Sequence, residues 1–194
     1  MTNLRLKSSA LGLALILALT ASFALMRTFA MAEAKVTQQL EFPVPALDVP
    51  AAVRHLRAAL RFETTSYDDA SSTEALEHFR AWLVGTYPRF HAATERTLVA
   101  GGTLIHEWRG TDAALEPIVL MAHQDVVPVP QPERWRQPPF SGAIVDGEIW
   151  GRGALDDKGS LIAILEAAES LLAAGHEPVR GVIFVFGHDE ESGG

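Results

Sequence analysis

Ile118-Val119-Leu120-Met121-Ala122 runs without a break into His123-Gln124-Asp125, and further along Val182-Ile183-Phe184-Val185-Phe186 runs into Gly187-His188-Asp189-Glu190-Glu191. An unbroken apolar run of this length is what a strand covered on both faces requires. Between the two runs, Lys158–Ala174 has a helical period, with Leu161, Leu165, Ala168 and Leu172 on one side and Gly175 as its stop. Buried strands alternating with helices predict an α/β fold, a three-layer sheet with helices on both faces. In open α/β sheets, ligands bind beyond the carboxyl ends of the strands. Both polar clusters stand at such ends. A third, Gly151-Arg152-Gly153-Ala154-Leu155-Asp156-Asp157-Lys158-Gly159, comes just before the helix.

Working outward, Asp48 precedes Val49-Pro50, an N-cap with proline in the first turn, and predicts a helix to about Leu60 that buries Val53, Leu56 and Leu60. Ser71 or Ser72 opens a second helix through Leu76, Phe79, Leu83 and Val84, ending near Gly85. Thr97–Ala100 and Thr103–Trp108 read as a hairpin joined by Gly101-Gly102. Residues 36–48, with Pro43 and Pro45 and no period, read as a linker. The folded part is therefore expected over 49–194.

Residues 1–35 are of another kind. Arg5 and Lys7 precede an uncharged Leu- and Ala-rich stretch from Ser8 to Met26, closed by Arg27. As a helix rising about 1.5 Å per residue, it approaches the thickness of a bilayer core. Two readings stand: a signal peptide cut after Ala30-Met31-Ala32, or an uncleaved membrane anchor. Either puts the folded part outside the cytoplasm, as a secreted, periplasmic or membrane-anchored protein.

Composition narrows the chemistry. The 194 residues are 48% hydrophobic, enough for a core, and 16 basic against 24 acidic residues give a net charge of −8. That balance argues against nucleic acid as a partner. With no cysteine, thiolate metal sites, cysteine nucleophiles and disulfides are excluded, and any metal must rest on His, Asp and Glu.

The three clusters then each have two readings. His123 and Asp125, two apart on extended chain, face one side, where the carboxylate can orient the imidazole toward a metal or simply satisfy a strand-end histidine. Asp156-Asp157 can cap the helix, although one aspartate is enough for that and the other is free to bridge cations. Glu190-Glu191 is either a solvated turn or a pair in which one carboxylate ligates metal and the other takes a proton from water. Taken together they suit a zinc pair sharing a carboxylate.

From Ile118 onward the sequence resembles metallopeptidase family 20. The resemblance is carried by Met121-Ala122-His123-Gln124-Asp125-Val126-Val127-Pro128-Val129, Trp135, Pro138-Pro139-Phe140-Ser141-Gly142, Ile149 to Gly159, and Phe186-Gly187-His188-Asp189-Glu190-Glu191. The Pro-Pro-Phe-Ser-Gly stretch and the Gly-His-Asp-Glu-Glu ending are most similar to the carboxypeptidase S branch. The resemblance implies a zinc-exopeptidase fold and two zinc ions. It implies that His123 ligates one ion, Asp125 supports that histidine, Asp156 bridges both ions across a cis Asp156–Asp157 peptide, Glu191 ligates the second ion and Glu190 is the general base. The activity implied is hydrolysis of amide bonds in small peptides or N-acyl amino acids, with removal of an acetyl or succinyl group as the alternative.

The family also uses a further acidic ligand, a late histidine and a smaller inserted domain for dimerisation or as a lid. None is found among these 194 residues. The chain therefore reads as an N-terminal fragment, expected to be inactive alone or to hold one metal weakly, and a non-catalytic membrane-anchored remnant is the reading from another class. His188 is expected to pack beside the site rather than replace the late histidine.

Overall fold

The structure, a computed structural model, describes residues 2–32, 46–67, 70–71 and 73–193. The chain divides into two compact units, Met1–Pro43 and Val44–Gly194.

In the first unit, α1 spans Thr2–Ala32. Its large apolar side chains from Leu15 to Met26 are exposed. Among the described residues no helix is long and apolar enough to cross a membrane. The expected anchor therefore draws no support from the fold. Most of the expected linker, residues 36–45, lies outside the described residues, as does Ser72.

In the second unit, α2 (Val49–Ala59) starts where its cap predicts, since the Asp48 carboxylate accepts the Ala51 N–H at 2.9 Å. A short pair follows, β1 (Ser66–Tyr67) against β2 (Ala70–Ser71), then α3 (Thr73–Thr86), which buries Leu76, Phe79 and Leu83. Val84, expected among the apolar positions of this helix, is exposed. A helix absent from the sequence reading, α4 (Pro88–Ala93), comes next and sinks Phe90 into the core. The hairpin is present as β3 (Glu95–Val99) and β4 (Thr103–Trp108). After β5 (Ile118–His123), a second hairpin unseen in the sequence, β6 (Ala143–Val145) and β7 (Glu148–Trp150), precedes α5 (Lys158–Ala173) and β8 (Val182–Gly187). Gly175, at φ +72°, ends α5 as expected.

The main sheet has the order β3-β4-β8-β5, with only the β5–β8 pair parallel. Leu104, His106, Val182, Phe184 and Phe186 are buried on one face. There Phe90 meets the Phe184 ring edge-on at 5.0 Å and the His106 ring at 4.7 Å, while Leu161, Leu165 and Ala168 of α5 complete the same core. Behind them Glu166 is held by the Tyr87 hydroxyl at 2.8 Å and by His55 Nδ1. The α/β class and the helix-flanked sheet stand. The strand at 118–122, expected to be covered on both faces, is instead the sheet edge, and Val119 and Met121 are 53% and 68% exposed. An apolar run signals burial only where a neighbouring layer is present to cover it.

Phe90 carries the contact between α4 and the sheet, so Phe90→Ala is expected to cost about 3–5 kcal/mol. A denaturant midpoint unchanged in that variant would show that α4 is not part of the cooperative core.

Candidate metal centre

The parallel β5–β8 register sets His123 opposite Gly187. Both strands therefore end at the same level, and the residues that follow each meet. The loop bearing Asp156 is brought to this level by Gly153, whose φ is +82°; a Cβ there would lie 2.7 Å from Val126 Cγ1. The Asp156–Asp157 peptide is cis, as the resemblance implies. Asp157 occupies the N-cap position of α5 but its side chain makes no capping bond. The capping role weighed for this pair is therefore not the one the side chains adopt.

Asp156 turns toward the histidine: its Oδ1 lies 2.9 Å from His123 Nε2. On the other side of the ring, Nδ1–H donates to the Asp125 backbone oxygen at 3.0 Å, and Asp125 Oδ1 lies 3.2 Å away as an ion-pair contact. Glu190 Oε2 is 3.9 Å from His123 Nε2. One donor atom from each of His123, Asp156 and Glu191 fits within 4.8 Å of the others. All five residues singled out in the sequence converge here, three as a cluster of possible ligands, Glu190 beside them and Asp125 behind the ring.

The electrostatics follow from the crowding. Hydrogen bonding to Asp125 pushes His123 up to about 9, against burial, and Asp156 adds to it. Burial pushes Asp125 up, but the bonds from His123, Ser66 and the Glu191 backbone outweigh it and hold its carboxyl below the ordinary value. Burial raises Glu191, and the neighbouring Asp156 charge raises it further. An imidazole and two carboxylates gathered so closely are a donor set for a divalent cation. With ligand bonds of about 2.0–2.2 Å the donors of one ion stand roughly 3.4 Å apart. The Asp156 side chain is exposed and that of Glu191 half-buried, so neither is locked by packing.

Several supporting residues escaped the sequence reading. Thr64-Thr65-Ser66 runs beside Gln124-Asp125-Val126: Val126 N–H donates to Thr64 O and Ser66 N–H to Val126 O, each at 3.0 Å, and Thr64 Oγ1 donates to Gln124 O at 2.6 Å. Gln124 is fully buried and its Nε2 donates to Phe186 O at 2.8 Å and Gly102 O at 3.1 Å, tying the end of β5 to β8 and to the β3–β4 turn. Lys158 is 0% exposed, donates to Ala59 O at 3.1 Å and Phe62 O at 2.6 Å, and is pushed down to about 7 by burial. It fastens the start of α5, next to Asp156, to the end of α2. The only sequence signal for these was a run of three hydroxyl residues without period, and a lysine at a helix start, which ordinarily faces water. His188 packs beside the site as expected: its Nδ1 is 2.9 Å from Thr103 Oγ1, and its ring lies where a Cβ on Gly102 would stand.

Residues 119–194 match the model of peptidase family M20/M25/M40. The chain is 43% identical over 151 residues to probable carboxypeptidase S-like 2 of Dictyostelium discoideum, covering 76% of this chain and 29% of that protein. It is 42% identical over 142 residues to the N-fatty-acyl-amino acid synthase/hydrolase PM20D1 of Mus musculus, covering 72% and 28% respectively. Among solved structures, the M20 family metallo-carboxypeptidase Sso-CP2 from Sulfolobus solfataricus superposes with a TM-score of 0.60 at 23% identity, over 72% of this chain and 31% of that one. Human carnosine dipeptidase 1 superposes at 0.57 and 21% identity, over 74% and 33%. These two likenesses concern the fold. Over residues 119–194 the chain is similar in sequence to peptidase family M20/M25/M40. It spans less than a third of the length of the curated relatives it matches.

With hydrogen bonding to Asp125 pushing His123 up to about 9, the protonated ring is favoured at neutral pH, and a cation at Nε2 must displace that proton. Cobalt(II) affinity of the chain is expected to rise about tenfold per pH unit from 6 to 8 and to flatten toward the histidine value. Calorimetry in buffers of different ionisation enthalpy is expected to report proton release on binding; affinity independent of pH over that window would contradict the assignment of Nε2.

Proposed function

We propose that this sequence supplies the core of a divalent-metal, zinc-dependent hydrolase site that cleaves amide bonds in small peptides or N-acyl amino acids. The observation that carries the reading is the meeting of His123, Asp156 and Glu191, with Glu190 at its edge, at the carboxyl ends of two parallel strands. The names of the relatives, a carboxypeptidase S-like protein and an N-fatty-acyl-amino acid synthase/hydrolase, favour the same substrate class.

In this reading His123, Asp156 and Glu191 would hold the metal, His123 serving one ion of the expected pair, Glu191 the other and Asp156 both. When bound, the metal polarises the scissile carbonyl and acidifies a water. Asp125 keeps the His123 ring oriented through Nδ1 and balances its charge. Glu190, not needed as a ligand, takes the proton from the attacking water and passes it to the leaving amine. Its exposed position suits a group that must reach both atoms in turn. For the run Ser8–Met26 behind Arg5 and Lys7, the matching proposal is export of the folded part from the cytoplasm.

Glu190→Gln keeps the shape and removes the base. In the protein carrying this sequence, turnover of N-acyl amino acids or dipeptides is expected to fall by about 10²–10⁴-fold. Bound metal should stay unchanged. Turnover that survives the substitution at its original rate would remove Glu190 from the mechanism and, with it, the reading of the cluster.

A further inference from the structure

Asp125 is fully buried, and its two carboxylate oxygens face different partners. Oδ1 lies 3.2 Å from His123 Nδ1. Oδ2 accepts two hydrogen bonds, one from the Ser66 hydroxyl at 2.8 Å and one from the Glu191 backbone N–H at 3.1 Å. One carboxylate therefore touches the ring of one candidate ligand and the main chain of another. The side-chain donor to Oδ2, Ser66, comes from a segment far upstream.

Ser66 is well placed to hold that carboxylate still. It is buried, and the chain around it is pinned on both sides, by Ser66 N–H to Val126 O and by Val126 N–H to Thr64 O, each at 3.0 Å. Its backbone is thus held by the same strand-like pairing that carries Asp125, and its hydroxyl lies nearer Asp125 Oδ2, at 2.8 Å, than the alternative acceptor His188 O, at 3.4 Å. Without it, Oδ2 would keep a single donor, and the buried carboxylate could turn about its last torsion toward that donor. Such a turn moves Oδ1 away from His123 and loosens the Glu191 main chain together.

We propose that Ser66 is a positioning residue of the metal centre, acting through Asp125 to fix the distance between His123 and Glu191, a role that rests on the reading of these two residues as metal ligands. Partners of this kind behind a metal ligand typically change affinity by about 10–100-fold when removed.

The test uses the 194-residue chain, with cobalt(II) as probe, and compares Ser66→Ala, Ser66→Thr, His123→Ala and the unaltered protein. Ser66→Ala is expected to weaken cobalt binding by about tenfold and to shift its visible absorption bands, with Ser66→Thr, which keeps the hydroxyl, restoring both. A purely structural serine would lower the unfolding midpoint without moving the spectrum. Hydrogen exchange of the metal-free chain supplies a second measurement. In Ser66→Ala the Glu191 amide is expected to exchange at least several-fold faster while the Phe184 amide keeps its protection. Unchanged cobalt affinity and spectrum in Ser66→Ala, alongside loss of binding in His123→Ala, would overturn the role of Ser66 and leave the metal site standing. Cobalt binding that survives His123→Ala would overturn the metal site itself. Where the chain takes up no cobalt, an unchanged Glu191 exchange rate in Ser66→Ala overturns the proposal on its own.

Discussion

The parallel register between Ile118–His123 and Val182–Gly187 is the constraint on which the rest of the structure depends. Parallel strands end on the same side, so their following residues share one edge of the sheet. An antiparallel pairing of the same two runs would send His123 and Glu190 to opposite ends. A one-residue slip would carry the imidazole to the other face. The turn at Gly153 and the buried Lys158 then serve the same end, since they deliver Asp156 to a level already defined by the two strands.

What gathers at that edge is negative charge with one imidazole in its midst. Asp125, Asp156, Glu190 and Glu191 crowd together, and Glu191 is raised above its ordinary value by burial first and by the neighbouring Asp156 charge second. His123, pushed up to about 9, is the cation on hand. A divalent ion would relieve that crowding more completely than one protonated ring does. This gives the pH response a plain cause, because proton and metal compete for the same lone pair.

Much of this was legible because each cluster sat next to an element with a strong period. The apolar run at 182–186, the helix with Leu161, Leu165 and Ala168, and the Asp48 cap all took the form their side chains predict. The five site residues were found through those elements and through family resemblance. Short elements were not. Pro88–Ala93 is too brief to display a helical period, and the strands around Asp146-Gly147 have three residues each. Yet that dipeptide, at φ +52° and +84°, is a two-residue hairpin turn whose signal was present in the letters. Ser66, Gln124 and Lys158 were missed for a different reason. Their importance lies in what they touch far along the chain, 59 positions away for Ser66 to Asp125 and 99 for Lys158 to Ala59, and no local pattern records that. Burial of 118–121 was misjudged because apolar character states a need for cover and says nothing about its source.

The open edge at Ile118–Met121 has a practical side. One row of its peptide groups points away from the sheet, flanked by apolar side chains, and such a ribbon invites strands from neighbouring molecules to join it. In a concentrated solution of the 194-residue polypeptide, this flank would then be one route to self-association, growing outward from the β5 side of the sheet.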